Sequence, residues 1–180
     1  MPPQGSPSVL LAIGHLLRRE VELDVLFLAI IDQVGAALAA DRCTLYLIDP
    51  EAGELFSRAA RLPEIKQIRL AIGQGVAGTV AKTGALLNLP STAGEHRFFP
   101  EIDKLTGYKT RSILAAPIVD RDGRTLGVLQ VLNARRGRFS LDDEELLRRL
   151  ATETAMALEA TSLYAQVRAP AATALPVRYR

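Results

Sequence analysis

The chain has 180 residues, 48% hydrophobic and 23% charged, with 22 basic against 20 acidic side chains and a formal net charge of +2. That length suits one domain with long terminal extensions, and the apolar content excludes a chain disordered throughout. Near charge balance, with basic residues scattered except at Arg135, Arg136 and Arg138, argues against a nucleic-acid binder held by bulk charge.

Residues 1–7 carry three prolines, a glycine and a serine and read as a disordered lead-in. A first helix is expected over about 8–19, with Ser8 as N-cap and Leu10, Ile13 and Leu17 at helical spacing. The apolar stretch over 9–17 is interrupted by Gly14 and His15 and follows no basic residue, so it does not read as a secretory leader. A second helix is expected over about 23–40. Its Leu23, Leu26, Phe27, Ile30, Ile31, Val34 and Leu38 form an apolar stripe that needs a surface to cover. The longest uninterrupted apolar run, 25–31, is too short to span a bilayer, so a cytoplasmic protein without membrane contact is expected.

The pattern then turns β-prone. Strands are expected over 42–49 and 54–61, joined as a hairpin by Asp49-Pro50-Glu51-Ala52-Gly53, and over 65–72. The single cysteine, Cys43, sits inside the first of these strands as a buried, inert thiol; alone it excludes an intrachain disulfide framework or a cysteine-rich metal site. A glycine-rich turn leads into a short helix ending near Gly84, and a short strand over 86–89 stops at Pro90. Residues 91–110 are polar and irregular, a length of loop that often carries function. The clearest strands are 112–119 and 125–133, joined by Asp120-Arg121-Asp122-Gly123. The last helix starts at Ser140 and is expected to reach about Arg168. Ser140 with Asp143 resembles a capping box, and acids at 142–145 suit the positive end of the helix dipole. Residues 169–180 read as a linker toward a further effector domain.

The implied fold class is α/β in the α+β sense. A central, mainly antiparallel sheet has the N- and C-terminal helices on one face, and a short helix with irregular chain closes a pocket on the other. The core domain spans 8–168, most compactly about 20–168.

Gly73-x-Gly75-x-x-Gly78 has the spacing of a dinucleotide-binding turn, but the parallel crossover unit and the following acid are missing. The glycines fit a tight strand-to-helix turn, whose N–H groups can still meet an anion. No nucleophile stands beside a base. The histidines, His15 and His96, do not suggest a metal site, and no metal or cofactor is expected.

Gly73-Gln74-Gly75-Val76-Ala77-Gly78-Thr79-Val80-Ala81, Asn88-Leu89-Pro90, Phe98-Phe99, Thr106-Gly107-Tyr108-Lys109-Thr110-Arg111-Ser112-Ile113-Leu114, Pro117-Ile118 and Leu126-Gly127-Val128-Leu129-Gln130-Val131-Leu132-Asn133 follow in an order and spacing that resemble a GAF domain over about 20–168. The nearest resemblance is to the ligand-binding GAF domains of cyclic-nucleotide phosphodiesterases and their bacterial relatives. Their signature of Asn-Lys, then Phe, three residues and Asp-Glu is met by Asn133, Phe139, Asp143 and Glu144. Ala134 replaces the lysine, with Arg135 beside it as a stand-in for a structural pair.

The resemblance implies a ligand pocket built from Thr44, Arg61, Val76, Ala77, Phe99, Asp103, Thr106, Thr110 and Gln130. Arg61 and Gln130 stand where acids are common in the close relatives, which makes the pocket less negative and suits an acidic or nucleotide-like ligand. It also implies a non-catalytic sensor. Methionine sulfoxide reductases with this fold use several cysteines, and bilin-carrying relatives need a cysteine in the irregular segment. The last helix offers Leu147, Leu150, Thr154, Ala157, Thr161 and Tyr164 as a coiled-coil-like seam, so a homodimer through the N- and C-terminal helices is expected. The layout suggests the N-terminal sensor of a bacterial enhancer-binding transcription activator. The other reading is a ligand-free dimerisation or interaction module of a sensor kinase or cyclase.

Overall fold

A computed structural model describes residues 23–61, 66–160 and 177–178. The expected first helix over 8–19, the expected end of the last helix near 168, and residues 62–65 lie outside that range.

The first described helix, α1 (Leu23–Ala37), buries Leu26, Phe27, Ile30, Ile31 and Val34, the stripe its sequence offers. It stops three residues short of the expected end. Ala39 takes a left-handed backbone (φ 47) and reverses the chain, and its carbonyl accepts the Arg135 N–H at 2.9 Å. Strand β1 (Ala40–Asp49) therefore begins at once, with Ala40 opposite Ala134.

The remaining elements are β2 (Glu54–Ala60), β3 (Ile68–Ala71), α2 (Gly75–Thr83), β4 (Leu87–Leu89), α3 (Glu101–Thr106), β5 (Ile113–Val119), β6 (Thr125–Ala134), α4 (Leu141–Ala160) and β7 (Val177–Arg178). They form one sheet in the order β4-β5-β6-β1-β2-β3-β7, antiparallel from β4 to β3, with β7 parallel to β3.

Strand alternation divides the core in two. Along β1, Cys43, Leu45 and Leu47 face α1 and α4, while Arg42, Thr44 and Tyr46 face the other way. In β6, Leu129 and Val131 join the helix side, and Val128, Gln130 and Leu132 the opposite side. The second core gathers Tyr46, Leu55, Ile68 and Leu70 beneath Val76 and Val80 of α2. The result is three layers: α1 and α4, the sheet, then α2 with the segment 91–110.

Helix α4 begins at a reciprocal cap. The Ser140 N–H donates to Asp143 Oδ2 at 2.8 Å, and the Asp143 N–H donates to Ser140 Oγ at 3.2 Å. The stripe read as a coiled-coil seam is turned inward. Leu147, Leu150, Thr154 and Ala157 are buried in this chain's own core, because the sheet needs that apolar face first. Thr161 and Tyr164 lie outside the described residues. No helix among the described residues is long and apolar enough to cross a membrane.

Candidate functional site

The cavity lies between the sheet and the roof made by α2 and residues 98–110. Its volume falls well below the ~300–1,000 Å³ of small-molecule sites. A water-sized sphere can move its centre through only about 50 Å³. That is room for a handful of waters, so a drug-sized ligand requires the roof to move.

The floor comes from β1 and β6, where Thr44 stands directly opposite Gln130. Both open onto the cavity, Thr44 buried and Gln130 half-buried. Among the described residues neither the Thr44 hydroxyl nor the Gln130 amide has a hydrogen-bond partner. Two groups able both to donate and to accept thus stand side by side on the floor.

One wall is the start of α2, shaped by its glycines. Gly75 is left-handed (φ 66), and a Cβ there would press on Phe99 at 3.3 Å. A Cβ on Gly78 would lie 2.6 Å from the Ala71 carbonyl oxygen, so the helix can seat on its own turn only with glycine there. The Gly78 N–H bonds Gln74 O at 3.1 Å and closes the first turn. The N–H groups of Gly75, Val76 and Ala77 have no acceptor among the described residues, and all three residues line the cavity. They present a positive helix end to whatever occupies it.

The roof is tied down from several directions. The Thr92 N–H donates to Arg111 O at 3.0 Å and the Thr92 hydroxyl to Thr110 O at 2.8 Å, joining the two ends of the loop. Within it lies α3, a six-residue helix that the sequence did not announce. The Asp103 carboxylate accepts the Thr110 N–H at 2.6 Å and its hydroxyl at 2.7 Å, locking α3 to the chain that enters β5. The Thr106 hydroxyl donates to Ile102 O at 2.8 Å. Glu95 accepts three bonds from Arg97, and these hold its carboxyl down at about 2. His96 is exposed beside Glu95, outside the cavity lining.

Eight of the nine residues expected at the pocket line this one cavity: Thr44, Val76, Ala77, Phe99, Asp103, Thr106, Thr110 and Gln130. Arg61 does not. It reaches to the opposite face and grips Asp32 of α1 through Nε at 3.0 Å and Nη2 at 2.6 Å. That grip draws the Asp32 carboxyl below the usual range. A β-bulge is the cause. The register shifts between Leu45 and Tyr46, so Ala60 pairs with Thr44 on the cavity side and Arg61 falls on the helix side.

Arg42 and Tyr108, which the sequence reading left out, also line the cavity, and the Arg42 guanidinium carbon lies 3.9 Å from the Tyr108 ring centre. The signal for Arg42 was present: strand period two from Thr44 puts Arg42 and Tyr46 on the same face.

The signature residues form the frame. Asn133, left-handed at φ 55, accepts the Arg111 N–H at 2.7 Å and donates to the Tyr108 hydroxyl at 2.7 Å and to Lys109 O at 2.9 Å. Phe139 is buried, and its carbonyl accepts from Asn88, which also donates to Glu144 at 2.9 Å. Asp143 receives Arg136 Nη2 at 3.2 Å. The arginine replacing the expected lysine is thus Arg136, because Arg135 swings toward Asp41 at 3.7 Å.

Cys43 faces the helices, and burial pushes its thiol far up, away from thiolate chemistry. Among the described residues no group of three or more His, Cys, Asp or Glu side chains is placed to hold a metal ion.

A family model described as GAF domain matches residues 22–158. The chain is 30% identical over 160 residues to a probable 3',5'-cyclic phosphodiesterase, pde-5, of Caenorhabditis elegans, covering 82% of this chain and 22% of that protein. It is 35% identical over 144 residues to the dual 3',5'-cyclic-AMP and -GMP phosphodiesterase 11 of Drosophila melanogaster, covering 71% and 10%. The chain thus spans about a fifth or less of these curated relatives. The crystal structure of the GAF domain from an Acinetobacter phosphoenolpyruvate-protein phosphotransferase superposes with a TM-score of 0.70 at 24% identity, covering 88% of this chain and 94% of that one.

Proposed function

The chain belongs to the GAF domain family, and from that premise we propose that it is a non-catalytic sensor unit whose cavity takes a nucleotide-like or small acidic ligand. The observation that carries this reading is the convergence of Thr44, Gln130, Phe99 and the open N–H groups of α2 on one cavity. Phe99 stacks on a flat ring, the floor pair meets its polar edge, and the α2 terminus takes its anionic group. The cyclic-nucleotide phosphodiesterases among its relatives support a cyclic nucleotide as the first ligand to test.

Signalling follows from the frame. Ligand entry moves the roof, and the roof is bonded through Asn133 to the end of β6, which leads through Arg136 and Asp143 into α4. In this reading the unit works as a homodimer through its terminal helices. It serves a larger cytoplasmic signalling protein, such as a transcription activator. The exposed Val25 of α1 and Met156 of α4 support such a contact on their outer surfaces.

A thermal-shift and calorimetric screen of cyclic nucleotides, 2-oxoglutarate, amino acids and nucleotides tests the ligand. A hit lost in Phe99→Ala and Asp103→Ala is the expected result; unaltered melting across the panel rejects the reading in favour of an interaction module. Sedimentation that shows only monomer at high micromolar concentration rejects the dimer.

A further inference from the structure

We propose that the outer edge of β3 is a docking edge for an extended segment of chain, that Val177–Arg178 is its occupant, and that docking there holds the α2 wall of the cavity in place. Such a contact needs no ligand, so its role stands apart from the ligand reading.

The backbone of β3 has two sides. The Ile68 N–H donates to Ser57 Oγ of β2 at 2.8 Å, so Ile68 turns its backbone inward, toward β2. Strand alternation turns Leu70 inward as well, and Arg69 and Ala71 outward. Ala71 finds its partners in the turn that follows. Its N–H donates to Gln74 Oε1 at 3.1 Å, and its carbonyl accepts the Gln74 N–H at 2.9 Å. The outward N–H and carbonyl of Arg69 are the part of this edge that calls for a strand. Val177–Arg178 supplies one. It lies parallel to β3, with Ile68 opposite Val177 and Arg69 opposite Arg178. At this register, parallel pairing turns the N–H and carbonyl of Val177 toward β3 and those of Arg178 away. What the edge recognises is therefore extended backbone, the mode in which a sheet gains an edge strand.

Strand β3 stands between this edge and the cavity. On one face Ile68 and Leu70 line the cavity; on the other Arg69 is buried against Asp49 and Glu54. Pairing with β2 covers Arg69 to Ala71, so the start of β3 at Ile68 is held by the Ser57 hydroxyl and by Val177. The end of β3 joins α2 without slack. The Gly73 N–H donates to the Gly78 carbonyl at 2.8 Å, and Gly78 packs so close to the Ala71 carbonyl oxygen that a Cβ would lie 2.6 Å from it. A shift of β3 therefore carries the start of α2 with it, including Val76 and Ala77, which line the cavity. The chain that continues beyond α4 is in this way anchored to the cavity wall, and release of the anchor loosens the wall. A strand this short contributes little by itself, which makes the contact releasable.

The test is amide hydrogen exchange on the whole chain, followed residue by residue, for the wild type, Val177→Pro and Arg178→Pro. Proline at 177 removes an N–H that faces β3. Proline at 178 removes one that faces away and keeps the residue before it extended. Val177→Pro is expected to speed exchange of the Arg69 amide by about ten-fold, and of the Gly73 and Gly78 amides by about three-fold. Arg178→Pro stays within about two-fold of wild type at all three. The Leu129 and Val131 amides in the centre of the sheet stay unchanged in both variants, which shows that the fold is intact. An Arg69 amide that exchanges alike in wild type and Val177→Pro overturns the docking. Faster exchange at Arg69 with Gly73 and Gly78 unmoved overturns the hold on the wall. Protection at Arg69 that falls when the protein is diluted means that a second copy supplies the strand, and overturns the assignment to this chain's own segment.

Discussion

Asn133 donates its side-chain N–H to the Tyr108 hydroxyl at 2.7 Å, so the last residues of β6 hold the chain that roofs the cavity. The same side chain accepts from the Arg111 and Ser112 N–H groups at 2.7 and 3.3 Å. Asn133→Gly keeps the left-handed backbone unstrained and removes only these bonds. It is expected to cost about 2 kcal/mol, since buried donors lose their acceptor, and to speed hydrogen exchange over 108–112. Exchange equal to wild type would show that the roof is held by other contacts.

Asp49 and Arg69 form a buried ion pair at 3.1 Å, with Glu54 at 3.3 Å on the same guanidinium nitrogen. Burial alone would raise the Asp49 carboxyl, but the Ala52 N–H, Arg69 and the Glu51 N–H together bring it below its ordinary value. Its folded value is then the lower one. The stabilisation is complete above the unfolded value near 4 and fades as pH falls through the folded value below that. Asp49→Ala is expected to cost about 3 kcal/mol at pH 7, because a buried arginine loses a partner. Urea midpoints should show the gap between wild type and variant narrowing below pH 4; a gap independent of pH would assign the loss to packing.

Arg136, exposed along its side chain, meets Asp143 in the first turn of α4. Arg136→Ala is expected to cost about 0.5 kcal/mol, as exposed pairs do, and 0.5 M salt should remove the difference. Arg135→Ala should leave the chemical denaturation curve unmoved. Equal losses in the two variants would mean that the assignment to Arg136 is mistaken.

Leu147 is fully buried, while Met156 of the same helix is half exposed. Leu147→Ala should cost about 2–4 kcal/mol and leave self-association in sedimentation at the wild-type level. Met156→Glu should leave the monomer fold in place and weaken self-association in sedimentation. The reverse pattern would restore the original seam.

Much of this was legible from residue order alone. The stripe from Leu26 to Val34 specified α1, and alternation along β1 separated Cys43, Leu45 and Leu47 from Thr44 and Tyr46. Helix α3 was not legible because none of its six residues is buried, so it carries no apolar period to read. The family resemblance put Arg61 at the pocket, and straight alternation from Leu55 through Ser57 and Ala59 would put it there too. The bulge that inverts this count is a property of the pairing with β1, which no local pattern reports. The inward turn of the α4 seam was hidden for a related reason: periodicity reports that a face is apolar, never which surface it meets.

Strand β1 is the party wall of two rooms, with Arg42, Thr44 and Tyr46 in one and Cys43, Leu45 and Leu47 in the other. A wall of this kind decides which sequence changes the lineage can survive. Single substitutions at Arg42, Thr44 or Gln130 can refurnish the cavity and leave the helices undisturbed. Inserting or deleting one residue in β1 would send every occupant through to the wrong side. New ligand preferences in descendants of this chain should therefore arise by exchange of letters in its central strands, with the length of those strands kept constant.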